Sequence, residues 1–390
     1  MRVLDVTEFF SERGGGVRSH LTLKGHVLCQ LGHEHTILAP GSMPIDMGRS
    51  RLIRVGGPSM PYDASYQLLW RPDLVRRVVR QEHPDILEIH SPYVAAMGAL
   101  ASPRSTFGAR TFFWHSDFID TYQHVLLERE VLGFRLPRAA RKMITEPLWA
   151  WVRRIGRACD ATIAAARWQV DKLRSHGVPR VVHLPFGVDK RVFYTRPRSQ
   201  EIRASYGVSP SDVMLVGVGR FAIEKRWDVV IEAFLRLRKT RPAKLVLVGD
   251  GPERARLERL AAGSGDIRFS GFVKDRDALA TLLSSADALV HGCPYETFGI
   301  SIAEAVSCEL PVVVPDLGGA AEQTEPGFSE TFTSNDAHAC SAAIARLLSR
   351  DPGELRASAK RAAAKIATVE EHFTALLALY TDLLAQKTIR

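Results

Sequence analysis

The stretch VMLVGVGRFAIEKRWDVVIEAFLRLRK, residues 213–239, contains a complete strand-to-helix unit. Its first six residues form a short apolar run, of the kind found in strands that are covered on both faces. After a turn with glycine and charged residues, apolar side chains recur from Trp227 to Leu235 at the spacing of one helix face. The stretch therefore predicts a β-strand followed by an amphipathic helix, which is the repeating element of α/β folds.

The same alternation continues on both sides of this unit. Strands are expected at residues 3–6, 36–39, 86–89, 111–114, 162–165 and 181–184, and a second series at 213–218, 245–248, 288–291 and 312–314. Proline and glycine interrupt the pattern at 184–189. We therefore expect an α/β fold of two Rossmann-like, doubly wound domains that face each other across a cleft. The expected domains are residues 1–185, joined by a C-terminal helix at 373–390, and residues 186–372.

Composition and charge limit the classes of protein to which the chain can belong. Of its 390 residues, 46% are apolar and 24% are charged, which is typical of a globular protein with more than one domain. The net charge is +9, but residues 1–190 hold 26 basic and 18 acidic side chains, whereas residues 191–390 hold 26 and 25. We expect the basic half to bind something anionic, such as a membrane surface, a nucleic acid or an acidic substrate.

Cysteine spacing and hydropathy indicate the compartment. The five cysteines are widely spaced and form no C-x-x-C pair, so neither a disulfide framework nor a zinc ribbon is expected. No apolar run approaches the roughly 18 to 20 residues of a transmembrane helix, and the N-terminus has no signal-peptide pattern. We expect a cytoplasmic protein, at most peripheral on the inner face of a membrane.

Two glycine-containing turns are candidates for binding a nucleotide. The glycines at 14–16 precede a helical pattern, where backbone N–H groups can approach an anion, although a flexible loop is an alternative interpretation. Gly217, Gly219 and Ala222 match the G-x-G-x-x-A dinucleotide fingerprint, so a redox enzyme is a second alternative. Arg220 follows the strand directly, and Lys225 lies at the expected N-terminus of the next helix. A bound diphosphate would explain a cation at a helix N-terminus. Ordinary surface charge is the other interpretation.

Residues 292–305, GCPYETFGISIAEA, place two carboxylates around a helix N-terminus. Glu296 lies in a proline-containing turn, from which it can reach a sugar, and Glu304 lies in the following helix, where it can accept hydrogen bonds from vicinal hydroxyls. The backbone N–H groups at 299–301 can bind phosphate oxygens. Alternatively, Glu296 caps the helix and Glu304 faces solvent.

At these residues the sequence resembles the retaining glycosyltransferases of family 4, which have the GT-B architecture. The family's E-x7-E pattern corresponds to Glu296 and Glu304, and its V-G-R and E/D-K segment to residues 218–225. Shorter matches occur at 271–273, 285–288 and 184–189. The sequence departs from the family pattern at Phe186, where Asn is frequent, and at Arg226 and Glu309, where Gly is common.

The resemblance implies a role for each matching position. Arg220 and Lys225 would bind the donor diphosphate, Glu296 the transferred sugar and Glu304 the ribose, while His115 would contact sugar or acceptor near the reacting carbon. The implied catalytic residues are His115, Arg220, Lys225 and Glu296, and the implied donor-binding residues are Gly15, Gly16, Val273, Phe298, Gly299, Ile300, Ser301 and Glu304. No strong candidate for a covalent nucleophile is found, which favours the front-face retaining route proposed for the family.

No metal or cofactor is expected. Asp275-Arg276-Asp277 is a D-x-D sequence, but it precedes a helix, so capping is the preferred interpretation. A possible contact with an anionic membrane lies in residues 129–157, where tryptophans are interleaved with eight basic residues: Arg129, Arg135, Arg138, Arg141, Lys142, Arg153, Arg154 and Arg157. The alternative is a solvated helix whose tryptophans pack on their own domain. Nucleic acid is not expected as a partner, because no recognisable binding module accompanies the basic residues.

The sequence therefore predicts a retaining hexosyltransferase. Its donor would be a nucleotide-diphosphate sugar, GDP-mannose or a UDP-hexose, and its acceptor a lipid, a lipid-linked sugar or a glycan. Two alternatives remain: a nucleotide-sugar 2-epimerase of the same fold, and a non-catalytic protein that binds a nucleotide sugar or a membrane.

Overall fold

The computed structural model describes residues 1–10, 15–41, 45–59, 65–123, 127 and 132–388. The chain divides into two compact units, which we call unit 1, Met1–Pro185 with Val369–Arg390, and unit 2, Phe186–Thr368. The predicted boundary at residue 372 falls inside the last helix, which begins at Val369.

Unit 1 is built on a parallel sheet. Its strands are β1 Arg2–Val6, β2 Glu34–Pro40, β3 Arg51–Val55, β4 Ile86–Ile89, β5 Ala109–Trp114, β6 Ala161–Ala164 and β7 Val181–His183. The helices that alternate with these strands are α1 Gly16–Gln30, α2 Pro72–Glu82, α3 Val94–Leu100, α4 Phe118–Asp120, α5 Arg138–Ala158 and α6 Arg167–Ser175. In the described residues the strand order is β3-β2-β1-β4-β5-β6-β7, so the direction of winding reverses between β1 and β4.

Unit 2 repeats this arrangement. Its strands are β8 Val213–Val218, β9 Ala243–Val248, β10 Ile267–Gly271, β11 Ala288–Val290, β12 Val312–Pro315 and β13 Ser329–Phe332. Its helices are α7 Gln200–Ser205, α8 Trp227–Leu237, α9 Arg254–Leu260, α10 Arg276–Ser285, α11 Ile300–Ser307, α12 Gly318–Glu322, α13 Ala337–Leu348 and α14 Pro352–Ala363. Within the same described ranges, the order is β10-β9-β8-β11-β12-β13, with the reversal between β8 and β11.

The last helix, α15 Val369–Thr388, returns to unit 1. Phe373, Leu376 and Tyr380 are buried, and the ring of Tyr380 covers the ammonium of Lys24 at 5.3 Å from its centroid. The His372 Nδ1 atom lies 2.7 Å from the Pro185 carbonyl oxygen, next to the point at which the chain leaves the unit. The amphipathic tail predicted from the sequence is confirmed, since its apolar face completes the core of unit 1.

The predicted α/β fold class with two doubly wound sheets is confirmed. Three strands, β3, β10 and β13, are not predicted by the sequence pattern, and all three lie at sheet edges. In such sheets ligands bind at the carboxyl ends of the strands where winding reverses. The turns after β1 and β4 in unit 1, and after β8 and β11 in unit 2, are therefore the positions at which a site is expected.

Candidate functional site

The turns after β8 and β11 of unit 2 are in direct contact. A side chain at Gly292, after β11, would place its Cβ atom 2.6 Å from the Arg226 carbonyl oxygen and 2.8 Å from that of Lys225. Only glycine therefore permits this close approach of the two backbones. The contact brings Lys225, at the end of the 3-10 turn Ile223–Lys225, close to Glu296.

Lys225 and Glu296 form a partly buried ion pair. The Lys225 Nζ atom lies 2.6 Å from Glu296 Oε2, and the two side chains are 23% and 16% exposed. The Nε2 atom of the buried His291 lies 3.2 Å from the same oxygen. Burial alone would raise the pKa of Glu296, but the Lys225 ammonium and His291 outweigh it and hold that pKa well below its usual range. The pair is therefore fully charged at neutral pH.

The glycines of the G-x-G sequence have a structural explanation. A Cβ atom at Gly217 would lie 2.6 Å from the Trp227 ring, and one at Gly219, whose φ is +155°, would lie 3.2 Å from it. The Trp227 Nε1–H donates to the Arg220 carbonyl oxygen at 2.9 Å. These glycines make room for the tryptophan that begins α8. This packing explains their presence without a bound dinucleotide, so the fingerprint match gives no support for the redox-enzyme alternative.

Two departures from the family pattern keep the backbone conformation that glycine favours. Arg226 has φ +51° and Glu309 has φ +57°, both in the left-handed region. The Arg226 side chain pairs with Asp228 at 3.1 Å. At the third departure, Phe186 packs edge-on against Phe298 with ring centroids 5.4 Å apart. Arg226 therefore keeps the turn after Lys225 in a conformation that glycine would also adopt.

The N-terminus of α11 lies beside the same carboxylate. Gly299, the residue before the helix, has φ +91°, and a Cβ atom there would lie 3.5 Å from Glu296 Cγ. The first-turn residues Ile300 and Ser301 follow, so backbone N–H groups and the positive end of the helix dipole lie next to the Lys225–Glu296 pair. This local charge favours binding of an anion.

The turn that carries Glu296 is held by residues that the sequence reasoning missed. The Gly319 N–H donates to the Glu296 carbonyl oxygen at 2.6 Å, and a Cβ atom at Gly319 would lie 2.7 Å from the Phe298 backbone. Gln323 donates to the Phe298 carbonyl oxygen at 3.2 Å. In the sequence, the paired glycines after the apolar run at 312–315 could have indicated this contact. Like the glycines after the other strands, they mark a strand-to-helix turn.

Glu304 is buried in α11 and does not face solvent. Its Oε1 atom lies 2.7 Å from Arg276 Nη2, at the start of α10, and the Arg276 guanidinium lies over the Phe193 ring at 4.7 Å. Burial raises the pKa of Glu304, and Arg276 offsets this only in part. Val273 lies in the turn between β10 and α10, three residues before Arg276 in the chain. Arg276 is therefore a candidate site residue that the motif matches did not include.

The D-x-D sequence caps a helix, as predicted. Asp275 Oδ1 accepts hydrogen bonds from the N–H groups of Asp277 and Ala278 at 2.9 and 3.3 Å, and Asp277 pairs with Arg196 at 2.5 Å. His291, Cys293 and Glu296 also lie close enough together to be potential metal ligands, and Glu296 is the carboxylate of the ion pair. There the Lys225 ammonium already supplies the positive charge next to the carboxylate.

The remaining predicted positions lie in unit 1. Gly15 has φ +140° and precedes α1, and a side chain at Gly16 would extend into open space. Gly14 lies outside the described residues. His115 follows β5, with its ring stacked on Phe113 at 4.3 Å and its Nε2 atom 2.7 Å from His90 Nδ1. His90, directly after β4, is a further residue that the sequence reasoning missed.

The tryptophans of the basic segment face the core of unit 1. Trp149 is buried with its ring stacked on His176 at 3.7 Å, and the Trp151 Nε1–H donates to the Pro92 carbonyl oxygen at 2.5 Å. The structure therefore favours the packed-helix alternative for these two residues. Arg129 lies outside the described residues. Among the helices that are described, none has the length and hydropathy needed to cross a membrane.

Comparison with known proteins identifies the family. Residues 198–366 match the family described as Glycosyl transferases group 1, and residues 14–192 match Glycosyltransferase Family 4. A GDP-mannose-dependent alpha-(1-6)-phosphatidylinositol dimannoside mannosyltransferase of Mycobacterium tuberculosis is 31% identical over 367 residues, covering 93% of this chain and 92% of the relative. The chain belongs to glycosyltransferase family 4. The predicted family and glycosyltransferase activity are therefore confirmed.

Two further comparisons fit this glycosyltransferase. A GDP-mannose-dependent alpha-mannosyltransferase of Corynebacterium glutamicum is 29% identical over 334 residues, covering 84% of this chain and 76% of the relative. The structure of sucrose-phosphate synthase from Thermosynechococcus elongatus matches with a TM-score of 0.80, at 20% identity and 99% coverage of both chains. The fold is therefore GT-B, as the sequence resemblance predicts.

Proposed function

We propose that this glycosyltransferase moves a mannosyl residue from GDP-mannose to a glycolipid acceptor, with retention of the anomeric configuration. The observation that carries the proposal is the Lys225–Glu296 ion pair beside the N-terminus of α11. The Lys225 ammonium and the backbone N–H groups of α11 would bind the diphosphate. The Glu296 carboxylate would bind the sugar. The GDP-mannose-dependent relatives, which match over most of this chain, support the choice of donor.

The proposed reaction separates charge at the donor. The bond between the sugar C1 and the diphosphate oxygen breaks, and its electron pair leaves with GDP. Lys225, Arg220 and the first-turn N–H groups of α11 stabilise the negative charge that develops there, and fixed charge of this kind is usually a large term in catalysis. Gly15 and Gly16, Val273 and Phe298 are proposed as further donor contacts, and Glu304 as the ligand of the ribose hydroxyls.

The acceptor is proposed to attack from the face that the diphosphate leaves. Its oxygen forms the new bond to C1, and its proton passes to the departing phosphate oxygen, so no protein nucleophile is required. Glu296 is a poor nucleophile for a double displacement, because the Lys225 ammonium 2.6 Å away stabilises its negative charge. It is better placed to hold a sugar hydroxyl.

Transfer is also proposed to be independent of a metal ion. The carboxylates of Asp275 and Asp277 are engaged in the helix cap and in the pair with Arg196. Glu296 is paired with an ammonium. The positive charge that a metal would bring to the diphosphate is thus supplied by side chains and by the helix terminus.

The donor and the mechanism can be tested together. With purified enzyme and a mannosylated phosphatidylinositol acceptor, we expect transfer from GDP-mannose, little or none from UDP-glucose or UDP-galactose, an α-linked product by NMR, and full activity in EDTA. Preferential transfer from a UDP-hexose, a β-linked product or dependence on an added divalent cation would each contradict part of the proposal. Formation of a new nucleotide sugar without acceptor would instead support the 2-epimerase.

The lipid acceptor is proposed to be reached through an exposed part of the basic segment. Outward-facing side chains here include the apolar Phe134 and Met143, 59% and 75% exposed, and the basic Arg138 and Lys142. Arg153 contributes less, because it pairs with Glu146 at 2.5 Å. Met143, Arg138 and Lys142 lie on α5, and Phe134 lies just before that helix. Apolar and basic side chains on one such segment favour binding to an anionic membrane surface.

Vesicle cosedimentation tests this surface. We expect the protein to bind vesicles that contain anionic lipid, and salt to weaken the binding. The double variant Arg138→Gln/Lys142→Gln is expected to bind several-fold less. Lys360→Gln/Lys365→Gln, which removes two exposed charges from unit 2, is the matched control and is expected to bind normally. An equal loss of vesicle binding in the two double variants, or binding that does not depend on anionic lipid, would contradict the assignment.

A further inference from the structure

Arg276 forms an ion pair with one of the two carboxylates assigned to the donor site. Its Nη2 atom lies 2.7 Å from Glu304 Oε1, and the two side chains are 47% and 7% exposed. The pair joins two helices, because Arg276 begins α10 and Glu304 lies in α11. The cation is therefore open to solvent, while the carboxylate that it contacts is buried.

The Arg276 guanidinium is also held from a second side. Its central carbon lies 4.7 Å from the centroid of the Phe193 ring, and this ring is buried. A guanidinium over an aromatic face is attracted to it. Asp275 caps the helix directly before Arg276 and fixes its first turn. These contacts give a long, half-exposed side chain one preferred position, with its charge directed at Glu304.

The ion pair connects two strand-to-helix turns of the unit 2 sheet. The turn between β10 and α10 contains Val273, and the turn between β11 and α11 contains Phe298. Both residues are proposed as donor contacts, and Glu304 is proposed as the ligand of the ribose hydroxyls. Arg276 therefore reaches from the first of these turns to the carboxylate that follows the second.

Burial and Arg276 act on Glu304 in opposite directions. Burial raises the pKa of Glu304, and the guanidinium lowers it but offsets this only in part. An ionised carboxylate accepts hydrogen bonds on both oxygens, whereas a protonated carboxyl uses one oxygen as a donor. Hydrogen bonds to the ionised form are also stronger. The charge on Arg276 therefore favours the form of Glu304 that binds hydroxyl groups well.

The surroundings of Glu304 contain other charged groups. α11 packs against α10, α14 and β12, and β12 consists of apolar residues. The titratable and charged groups around the pair are Asp189 and Arg196 before α7, Asp277 on α10, Cys308 and Glu309 after α11, and Arg356 and Lys360 on α14. Among the described residues, the cation within ion-pair distance of Glu304 is Arg276.

We propose that Arg276 is a positioning residue for donor binding: it holds Oε1 of Glu304, so that Oε2 of the same carboxylate accepts the hydrogen bonds of the ribose hydroxyls. Arg276 acts through Glu304 and is assigned no contact with the reacting atoms. This role rests on the proposed contact between Glu304 and the ribose. Without Arg276, the carboxyl takes up a proton at a higher pH, and donor binding weakens as the pH falls through that higher pKa.

Titration calorimetry with GDP-mannose at about pH 6 and about pH 8 tests this role. GDP-mannose is the probe because, unlike GDP, it has no phosphate group that titrates in this range. A nearby positive charge shifts the pKa of a carboxyl group by about 1–3 units, and each unit corresponds to roughly a tenfold difference in affinity below the pKa. The ratio of the Kd of Arg276→Met to the wild-type Kd is therefore expected to be about 10-fold larger at the lower pH.

Three variants separate the charge of Arg276 from its packing. Arg276→Lys retains the charge and is expected to keep most of the wild-type pH profile. Arg276→Met/Glu304→Gln has no carboxyl group to titrate at this position, so the additional weakening at low pH is expected to disappear. Arg346→Met, which breaks a 2.9 Å pair with Glu330 in the same unit, is the matched control and is expected to bind like wild type at both pH values.

Carbon-13 NMR of protein labelled at the glutamate carboxyl carbons tests the same effect without a ligand. The Glu304→Gln spectrum assigns the signal. We expect its titration midpoint to be about 1–3 pH units higher in Arg276→Met than in wild type, and unchanged in Arg346→Met. If Arg276→Met does not fold, Arg276→Gln removes the same charge, keeps an N–H donor and is expected to give the same shift and the same pH-dependent weakening.

The outcomes distinguish this role from the proposed function. A loss of GDP-mannose binding in Arg276→Met that is equal at both pH values, or an unchanged titration of Glu304, would overturn the positioning role. Wild-type binding of UDP-glucose in place of GDP-mannose would contradict the proposed donor alone. Because both donors contain the same ribose, the pH profile with UDP-glucose would then decide the role of Arg276.

Discussion

Lys225→Ala is expected to slow sugar transfer about 10²- to 10³-fold, the effect typical of losing one fixed donor to a developing negative charge. The ammonium is held 2.6 Å from Glu296 at the end of a turn whose position Gly292 permits. It therefore needs no rearrangement when charge develops on the diphosphate. Steady-state kinetics with saturating acceptor measure the change as kcat/KM for the donor, and Lys225→Arg is expected to recover part of it.

Lys244→Ala is the matched control for this measurement. Lys244 forms a 2.6 Å ion pair with Asp266 in the same unit, and the two side chains are 20% and 25% exposed. The control therefore removes a pair of similar geometry and burial, away from the proposed site. We expect near-normal transfer from it. A folded Lys225→Ala protein with the same activity as Lys244→Ala would exclude Lys225 from the reaction.

Glu304→Gln is expected to weaken binding of both GDP-mannose and GDP about 10- to 100-fold, because hydrogen bonds to a charged group contribute about 1.5–3 kcal/mol. The carboxylate is buried in α11 and is paired on one oxygen with Arg276. Its remaining lone pairs are proposed to accept hydrogen bonds from the ribose hydroxyls. Titration calorimetry with GDP measures the loss directly.

A GDP analogue without ribose hydroxyls makes this experiment specific. The analogue is expected to bind wild-type protein as weakly as GDP binds the variant, and the variant is expected to bind both equally, which is the pattern of a coupled pair. Glu330→Gln, which breaks a 2.9 Å pair with Arg346 in the same unit, serves as the control. Additive losses from the analogue and from Glu304→Gln would argue against a contact between the carboxylate and the ribose.

Most strands that the sequence predicts are interior strands of the two sheets, and the predicted β7, at a sheet edge, is the exception. β11 and β12 consist of fully buried residues and appear in the sequence as uninterrupted apolar runs. β3, with the sequence RLIRV, lies at a sheet edge and is partly exposed along its length, so arginines interrupt its pattern. β10 and β13 are also edge strands, and polar residues interrupt their patterns in the same way. Edge strands bear polar residues that limit association with other chains, and this removes the signal on which the prediction depends.

The site was predictable where its residues are close in sequence. Glu296, Gly299 and Glu304 share one turn and helix, so their spacing alone places them around a helix terminus. The contacts of Glu304 with Arg276 and of His115 with His90 join residues from separate strand-to-helix turns. Such pairs depend on strand order and register, which hydrophobic periodicity does not specify. The same limit explains why the tryptophans of α5 suggested a membrane contact, since periodicity does not reveal which neighbour covers them.

Because α15 belongs to unit 1, the two units are not completed in the order in which their synthesis begins. Unit 2 is a single continuous segment, so its whole sequence is available to fold once residue 368 has emerged. Unit 1 begins first, but its Lys24 lacks the cover of Tyr380 until the final helix has been synthesised. Domains generally fold as units during synthesis, so the nascent N-terminal half must wait, with apolar surface exposed, through the translation of all of unit 2. The half that is made first is completed last.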